Sequence, residues 1–163
     1  MTDIKLNRRQ VLATGVAGSA MTLMPNMSLA ATTWDMPSAY GAGNFISKAY
    51  AAFGEDVSTR TNGDLAITLH PAGSLYSGGD ILRAVREGQV LIGGRFLGAH
   101  SKQVPLLGLD TVPFLATTRA QSRKLYDVSK DAIGAALDEI GLKLLFAPVW
   151  PPQGLFSKKE VKT

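Results

Sequence analysis

Beyond residue 31 the sequence switches repeatedly between two hydrophobic periods, about two residues and about 3.6. This alternation limits the fold more than any single motif. Residues 32–36 are β-prone and stop at Pro37, which predicts a short first strand. Asn44 suits the cap of a helix in which Phe45, Ala49, Phe53 and Val57 recur every four residues, with Ile46 and Tyr50 widening the stripe. Asn62 and Gly63 supply a left-handed end to that helix. Leu65, Ile67 and Leu69 alternate with Ala66 and Thr68 as a second strand, halted by His70 and Pro71. Ser77 and Asp80 open a second helix containing Ile81, Leu82 and Val85, which Gly88 closes. Val90, Leu91 and Ile92 read as a buried third strand ahead of Gly93 and Gly94. Residues 106–115 read as an apolar loop or one-turn helix broken by Pro113. Thr118 and Gln121 form a capping-box pattern before a long helical region through Leu125, Val128, Ile133 and Leu137. That region ends at Gly141 and is divisible at Ser129 and Lys130. Residues 142–147 read as a fourth strand, after which Pro148, Pro151 and Pro152 force an extended path around Trp150.

The order β-α-β-α-β-α-β predicts an α/β fold with a mostly parallel sheet flanked by helices. Phe45, Phe53, Leu82, Val85, Ile133, Leu137 and Leu144 are the expected core. Open α/β sheets bind ligands in the crevice at the carboxyl ends of their strands. The loops to watch are therefore 37–43, 70–79, 93–99 and 148–154.

Residues 1–30 read as an address and not as part of this fold. Lys5, Arg8 and Arg9 form a basic start, residues 11–29 carry no charge, and Ser28 and Ala30 place small residues at −3 and −1 of a cut before Ala31. Arg8 and Arg9 followed by Gln10, Val11 and Leu12 resemble a twin-arginine (Tat) export signal. A retained transmembrane anchor is the competing reading, but eight small or polar residues dilute the stretch and Pro25 interrupts it. Cleavage would lower the net charge from +4 to +2, since Lys5, Arg8, Arg9 and Asp3 leave together. The remainder has no basic run with interleaved aromatics, so no nucleic-acid partner is expected. Among 163 residues there is no cysteine, which excludes a disulfide framework, a thiolate metal site and a cysteine nucleophile.

Chemistry-bearing patterns are sparse. His70 and His100 stand thirty residues apart without ligand spacing, so neither a metal nor a cofactor is expected. The loop around Ser74, Ser77, Gly78 and Gly79 matches neither a phosphate loop nor a nucleophile elbow, and reads best as a turn and cap. No carboxylate pair or Ser/His/Asp order appears, and a binding protein is expected in preference to an enzyme. Arg95 and Phe96 follow the third strand. A guanidinium there suits a carboxylate, with a surface salt bridge as the equal alternative. Trp150 and Gln153 lie on the exit from the fourth strand, where a flat apolar wall and a neutral hydrogen-bonding group suit a small-ligand crevice. Tyr40 and Tyr76 hold similar positions on their own loops.

Four segments occur in register: Thr61, Asn62 and Gly63; residues 70–75; residues 84–90; and residues 109–115. Together they resemble the DctP-type solute-binding proteins of tripartite ATP-independent periplasmic (TRAP) transporters, with their "TNG" turn, "PAGxLG" loop, "ALRxGxxD" helix end and "PFLF" segment. The resemblance runs from about Thr32 to Thr163, and residues 150–159 look like the approach to the first interdomain crossing. It implies a periplasmic-binding-protein-like lobe over residues 31–163, with a second lobe and the family's main carboxylate-binding arginine lying beyond Thr163. Val90, Leu91 and Ile92 depart from the family in lacking the acid it often carries there. The implied function is an extracytoplasmic receptor that captures a small organic acid and works with TRAP permease subunits; a dimer is one of its open oligomeric states. An exported hydrolase using residues 74–79 and a membrane-anchored interaction module are the competing expectations.

Overall fold

The computed structural model of the chain describes residues 32–151 and 157–159. Arg8, Arg9, Ala30 and Gln153 lie outside them. The βα alternation is realised at the start. β1 (Thr32–Pro37) and β2 (Leu65–His70) pair in parallel, Thr32 opposite Leu65 through Pro37 opposite His70. Between them α1 (Phe45–Arg60) forms the crossover. Trp34 lies opposite Ile67 and Met36 opposite Leu69, so these four side chains share a face. That face meets Ile46, Tyr50 and Ile92 to form the core.

The caps of α1 follow the sequence reading. The Asn44 side chain accepts a hydrogen bond from the Ile46 N–H at 2.9 Å. At the other end Asn62 and Gly63 take φ values of 51° and 84°, and the Gly63 N–H donates to the Ser58 carbonyl at 2.8 Å. The phase of the helix differs from the expected stripe. Ile46, Ser47, Tyr50 and Gly54 are buried, whereas Phe45 is 40% exposed. The cause is Gly54. A Cβ there would lie 3.4 Å from both the Cβ and the carbonyl oxygen of Ile67, so the bare backbone sets the helix close to β2 along the Ile46–Tyr50–Gly54 line. The larger Phe45 and Phe53 are turned sideways, towards Trp150 and Phe146 respectively.

α2 (Ile81–Arg86) and α3 (Arg119–Asp138) complete the helices, with short 3-10 helices at Leu97–His100 and Pro105–Thr111. The capping box of α3 is present in full, with the Thr118 hydroxyl accepting from the Gln121 N–H and the Gln121 side chain accepting from the Thr118 N–H. The expected break at Ser129 does not occur. Its hydroxyl donates to the Leu125 carbonyl at 2.7 Å, which satisfies it inside one continuous helix. Gly141, at φ 77°, follows the helix, and the Leu142 N–H returns to the Leu137 carbonyl.

Two expected strands are corrected. Val90 and Ile92 are buried, but residues 90–92 form no strand, and the segment joins the sheet only through a single parallel bridge between Ser38 and Gly94. Gly93 and Gly94 explain this. A Cβ on Gly93 would fall 2.7 Å from the Ile81 side chain, and one on Gly94 would enter the Tyr50 ring, so this stretch threads between α2 and α1 instead of extending a ladder. Residues 142–147 likewise form no strand. The segment is held by side chains, with Phe146 against Tyr50 and Phe53. Of the expected core, Leu82 and Leu137 are buried, Phe53, Val85, Ile133 and Leu144 are half-buried, and Phe45 is exposed. Among the described residues no helix is long and apolar enough to cross a membrane.

Ile46→Ala should therefore destabilise the fold by about 2–5 kcal/mol, and Phe45→Ala by clearly less. Urea unfolding of the two variants checks the order, and a larger loss for Phe45→Ala would contradict this helix phase.

Candidate functional site

Three loops converge at the carboxyl ends of β1 and β2, and Ser38 joins them. Its N–H donates to the His70 carbonyl at 2.9 Å, continuing the parallel ladder by one step. Its carbonyl accepts from the Gly73 N–H at 2.9 Å, and its hydroxyl accepts from the Tyr40 N–H at 3.3 Å. The Gly94 N–H donates to the neighbouring Pro37 carbonyl at 2.9 Å. The Tyr40 carbonyl accepts twice, from the Ala72 N–H at 2.8 Å and from the buried Ser47 hydroxyl of α1 at 3.0 Å. The loops after β1, after β2 and around Gly94 are thus one hydrogen-bonded unit.

This unit presents an aromatic cluster. Trp150 lies edge-on to Tyr40, Phe45 and Phe96, with ring centroids 5.5, 5.4 and 6.0 Å away. Tyr40, Phe96, Trp150 and Arg95 line one end of a cleft of about 1190 Å³ that runs on to Leu107 and Ile133 of the helical layer. The whole cleft exceeds what one small solute fills, so the aromatic end with its cation is the candidate site.

Arg95 is half-buried, and among the described residues no carboxylate pairs with it. The surface salt bridge expected as its alternative role is not formed among them. Its Nε and the Nε2 of His100 are both buried without a hydrogen-bond partner. Burial first, and the Arg95 charge second, hold the His100 imidazole below its ordinary value of 6.5. Burial raises the Tyr40 hydroxyl, opposed by the Arg95 charge and a hydrogen bond from the Phe96 backbone. Burial also pushes Tyr50 up to about 12, helped by Tyr40. Tyr40, Tyr50 and His100 are thus neutral beside the Arg95 cation, while Asp110, whose carboxyl is raised by burial, lines the same cleft without pairing with it.

Of the residues expected at the site, Tyr40, Arg95, Phe96 and Trp150 are brought together. Tyr76 is half-buried in the loop after β2 and does not line the cleft. Phe45 belongs to the cluster, although the sequence marks it as core. Its place just behind the Asn44 cap, at the loop end of α1, was the available signal. His70 is not near His100 in role, because its Nε2 lies 2.7 Å from Asp35 Oδ1 on the sheet. Ser77 donates its hydroxyl to the Asp80 carboxylate at 2.5 Å, and this bond holds Asp80 below the usual carboxylate range. The Ser74–Gly79 region is thus a turn before α2.

The family described as bacterial extracellular solute-binding protein, family 7 (DctP) matches residues 38–150. The chain belongs to that family. Its fold is the α/β lobe of TRAP solute-binding proteins. A marine metagenome TRAP solute-binding protein, described as specific for pyroglutamate, is 47% identical with a TM-score of 0.78. The match covers 80% of this chain and 43% of that one. Two Bordetella pertussis extracytoplasmic solute receptors that bind pyroglutamic acid are 40% and 32% identical, with TM-scores of 0.72 and 0.77. These matches cover 74% and 80% of this chain, and 40% and 44% of the receptors. A Sulfitobacter relative with bound β-D-galacturonate is 27% identical, with a TM-score of 0.60, over 67% of this chain and 37% of its own. No curated protein matches. The chain spans less than half the length of these relatives.

Because His100 is held neutral, the unfolded chain binds its proton first as the pH falls. Stability should be fully present above the ordinary value of 6.5 and decline as pH drops from there towards the lowered folded-state value. Urea midpoints between about pH 7.5 and pH 5 measure this. His100→Gln should flatten that segment of the profile, and an unchanged slope would remove His100 from the account.

Proposed function

We propose that this chain is the ligand-facing lobe of an extracytoplasmic receptor that captures a small cyclic carboxylic acid and delivers it to a TRAP permease. Residues 31–163 form the lobe, and residues 1–30 act as a Tat-type export signal cut after Ala30, in keeping with the periplasmic station of TRAP solute-binding proteins. The observation that carries the reading is Arg95, a half-buried guanidinium with no carboxylate partner among the described residues, set beside Tyr40, Phe96 and Trp150. A solute carboxylate would supply the missing counter-charge through charge-assisted hydrogen bonds. The ring faces would accept a flat, partly apolar body, with Gln153 adding a neutral hydrogen bond.

Pyroglutamate has that shape and is what the most similar receptors above are described as binding. Uronates, bound by a more distant relative, share the carboxylate but present a ring covered in hydroxyls, a poorer match to three aromatic side chains. In the intact receptor a second lobe closes on the solute, and contact with both lobes shifts the population towards the closed form. One lobe alone should bind at least about a thousandfold more weakly, the equivalent of roughly 4 kcal/mol of lost contacts.

Titration of the isotopically labelled chain with pyroglutamate, followed by NMR, tests the reading. The Trp150 indole and Arg95 side-chain signals should shift. Arg95→Ala should lower affinity roughly ten- to a hundredfold, the equivalent of about 1.5–3 kcal/mol for a lost charged hydrogen bond. Unchanged affinity in that variant would remove Arg95 from the site. Export is tested separately. Replacing Arg8 and Arg9 with lysines keeps the charge and should block periplasmic accumulation, and equal accumulation would contradict a Tat route.

A further inference from the structure

Nothing within hydrogen-bond range holds Arg95 Nε, so the guanidinium must be placed by packing. The packing surface is the bare backbone at Gly78. A Cβ built there would lie 2.9 Å from the Arg95 Nη1, 3.0 Å from the Ala39 Cβ and 3.3 Å from the Arg95 Cζ. The guanidinium already occupies the space where any side chain at position 78 would begin. Gly78 does not lie in the left-handed region, so its backbone does not itself demand glycine. What a methyl group there meets first is Arg95, with the Ala39 Cβ next to it. The atoms in the way are chiefly the far end of a flexible side chain, which can swing aside with little cost to the fold. The adjacent Gly79 is different, since the nearest atom to a Cβ there is the Ser77 hydroxyl oxygen at 3.9 Å.

We propose that Gly78 is a positioning residue for solute recognition, its missing side chain forming the seat that aims the Arg95 guanidinium into the cleft. This rests on the reading of Arg95 as this lobe's carboxylate-binding group. It assigns a binding role to a glycine in a loop that otherwise reads as a turn before α2. A methyl group at position 78 displaces the charge from the aromatic end of the cleft, and its contact with the Ala39 Cβ asks the loop unit around Ser38 to give by only a few tenths of an ångström.

The test compares Gly78→Ala, Gly79→Ala, Arg95→Ala and the Gly78→Ala/Arg95→Ala double variant. Each is measured by thermal melting, by pyroglutamate titration and by solvent exchange of the Arg95 Nε–H. Gly78→Ala should melt near the wild type and speed Nε–H exchange. It should also weaken binding roughly tenfold, the lower end of what losing a charged hydrogen bond costs. Gly79→Ala should bind normally. In the Arg95→Ala background, Gly78→Ala should cost nothing further, because the group it displaces is gone. Unchanged affinity in Gly78→Ala, or the same loss with and without Arg95, would overturn the proposal. If Gly78→Ala fails to fold, Arg95→Ala in the same chain must restore folding, and failure to do so overturns the seat. Arg95→Ala without loss of affinity overturns the arginine reading itself. A loss in Arg95→Ala beside an unchanged Gly78→Ala overturns only the seat.

Discussion

The backbone of Pro37 and Ser38 carries the architecture of the site. Ser38 is fully buried, and its N–H, carbonyl and hydroxyl, with the Pro37 carbonyl, bind four partners on three loops. A buried peptide group that loses its partner costs about 1–3 kcal/mol, so none of these loops can move without exposing or stranding the others. The loops that carry Tyr40, Gly78 and Arg95 are hung from this point. Tyr40 is two residues away, Gly78 follows the loop fixed through Gly73, and Arg95 adjoins the bridged Gly94. Rigid loops on a short parallel pair give the precision that a binding site needs.

The scaffold then sets up an electrostatic imbalance. Arg95 is partly withdrawn from bulk water without receiving an anion from the described part of the chain, while its neighbours Tyr40 and His100 are held neutral by burial. A lone, partly desolvated cation strengthens attraction to an incoming carboxylate, since the effective dielectric is lower than in water. The edge-on contacts of Trp150 with Tyr40, Phe45 and Phe96 gather four aromatic rings beside that charge. Charge would choose the acid and shape would choose the ring, and neither element suffices without the other.

Much of this was legible in the sequence because the signals were local. The Asn44 cap, the Asn62–Gly63 helix end, the Thr118–Gln121 box and both paired strands depend on neighbours in the chain. The failures share a non-local cause. The phase of α1 is decided by Gly54 against Ile67, a close approach that a hydrophobic stripe weighted by large side chains does not register. Residues 90–92 and 142–147 have strand composition, but pairing depends on a neighbouring edge, and the glycines at 93 and 94 are fitted to Ile81 and Tyr50 instead. At the candidate site, loop position grouped Tyr40, Arg95, Phe96 and Trp150, which the structure brings to one end of the cleft. It could not reveal that Phe45 turns into the cluster, that Tyr76 does not line the cleft, or that Gly78 lies against the guanidinium.

The central claim is that a solute carboxylate completes the unpaired charge of Arg95 within this lobe. A crystal structure of the chain grown with saturating pyroglutamate addresses it most directly. The account predicts the carboxylate within hydrogen-bond distance of the Arg95 guanidinium and the lactam ring against Trp150, with the loops joined at Ser38 unmoved. A carboxylate held elsewhere, with Arg95 engaged by an acidic side chain of the protein, would contradict it.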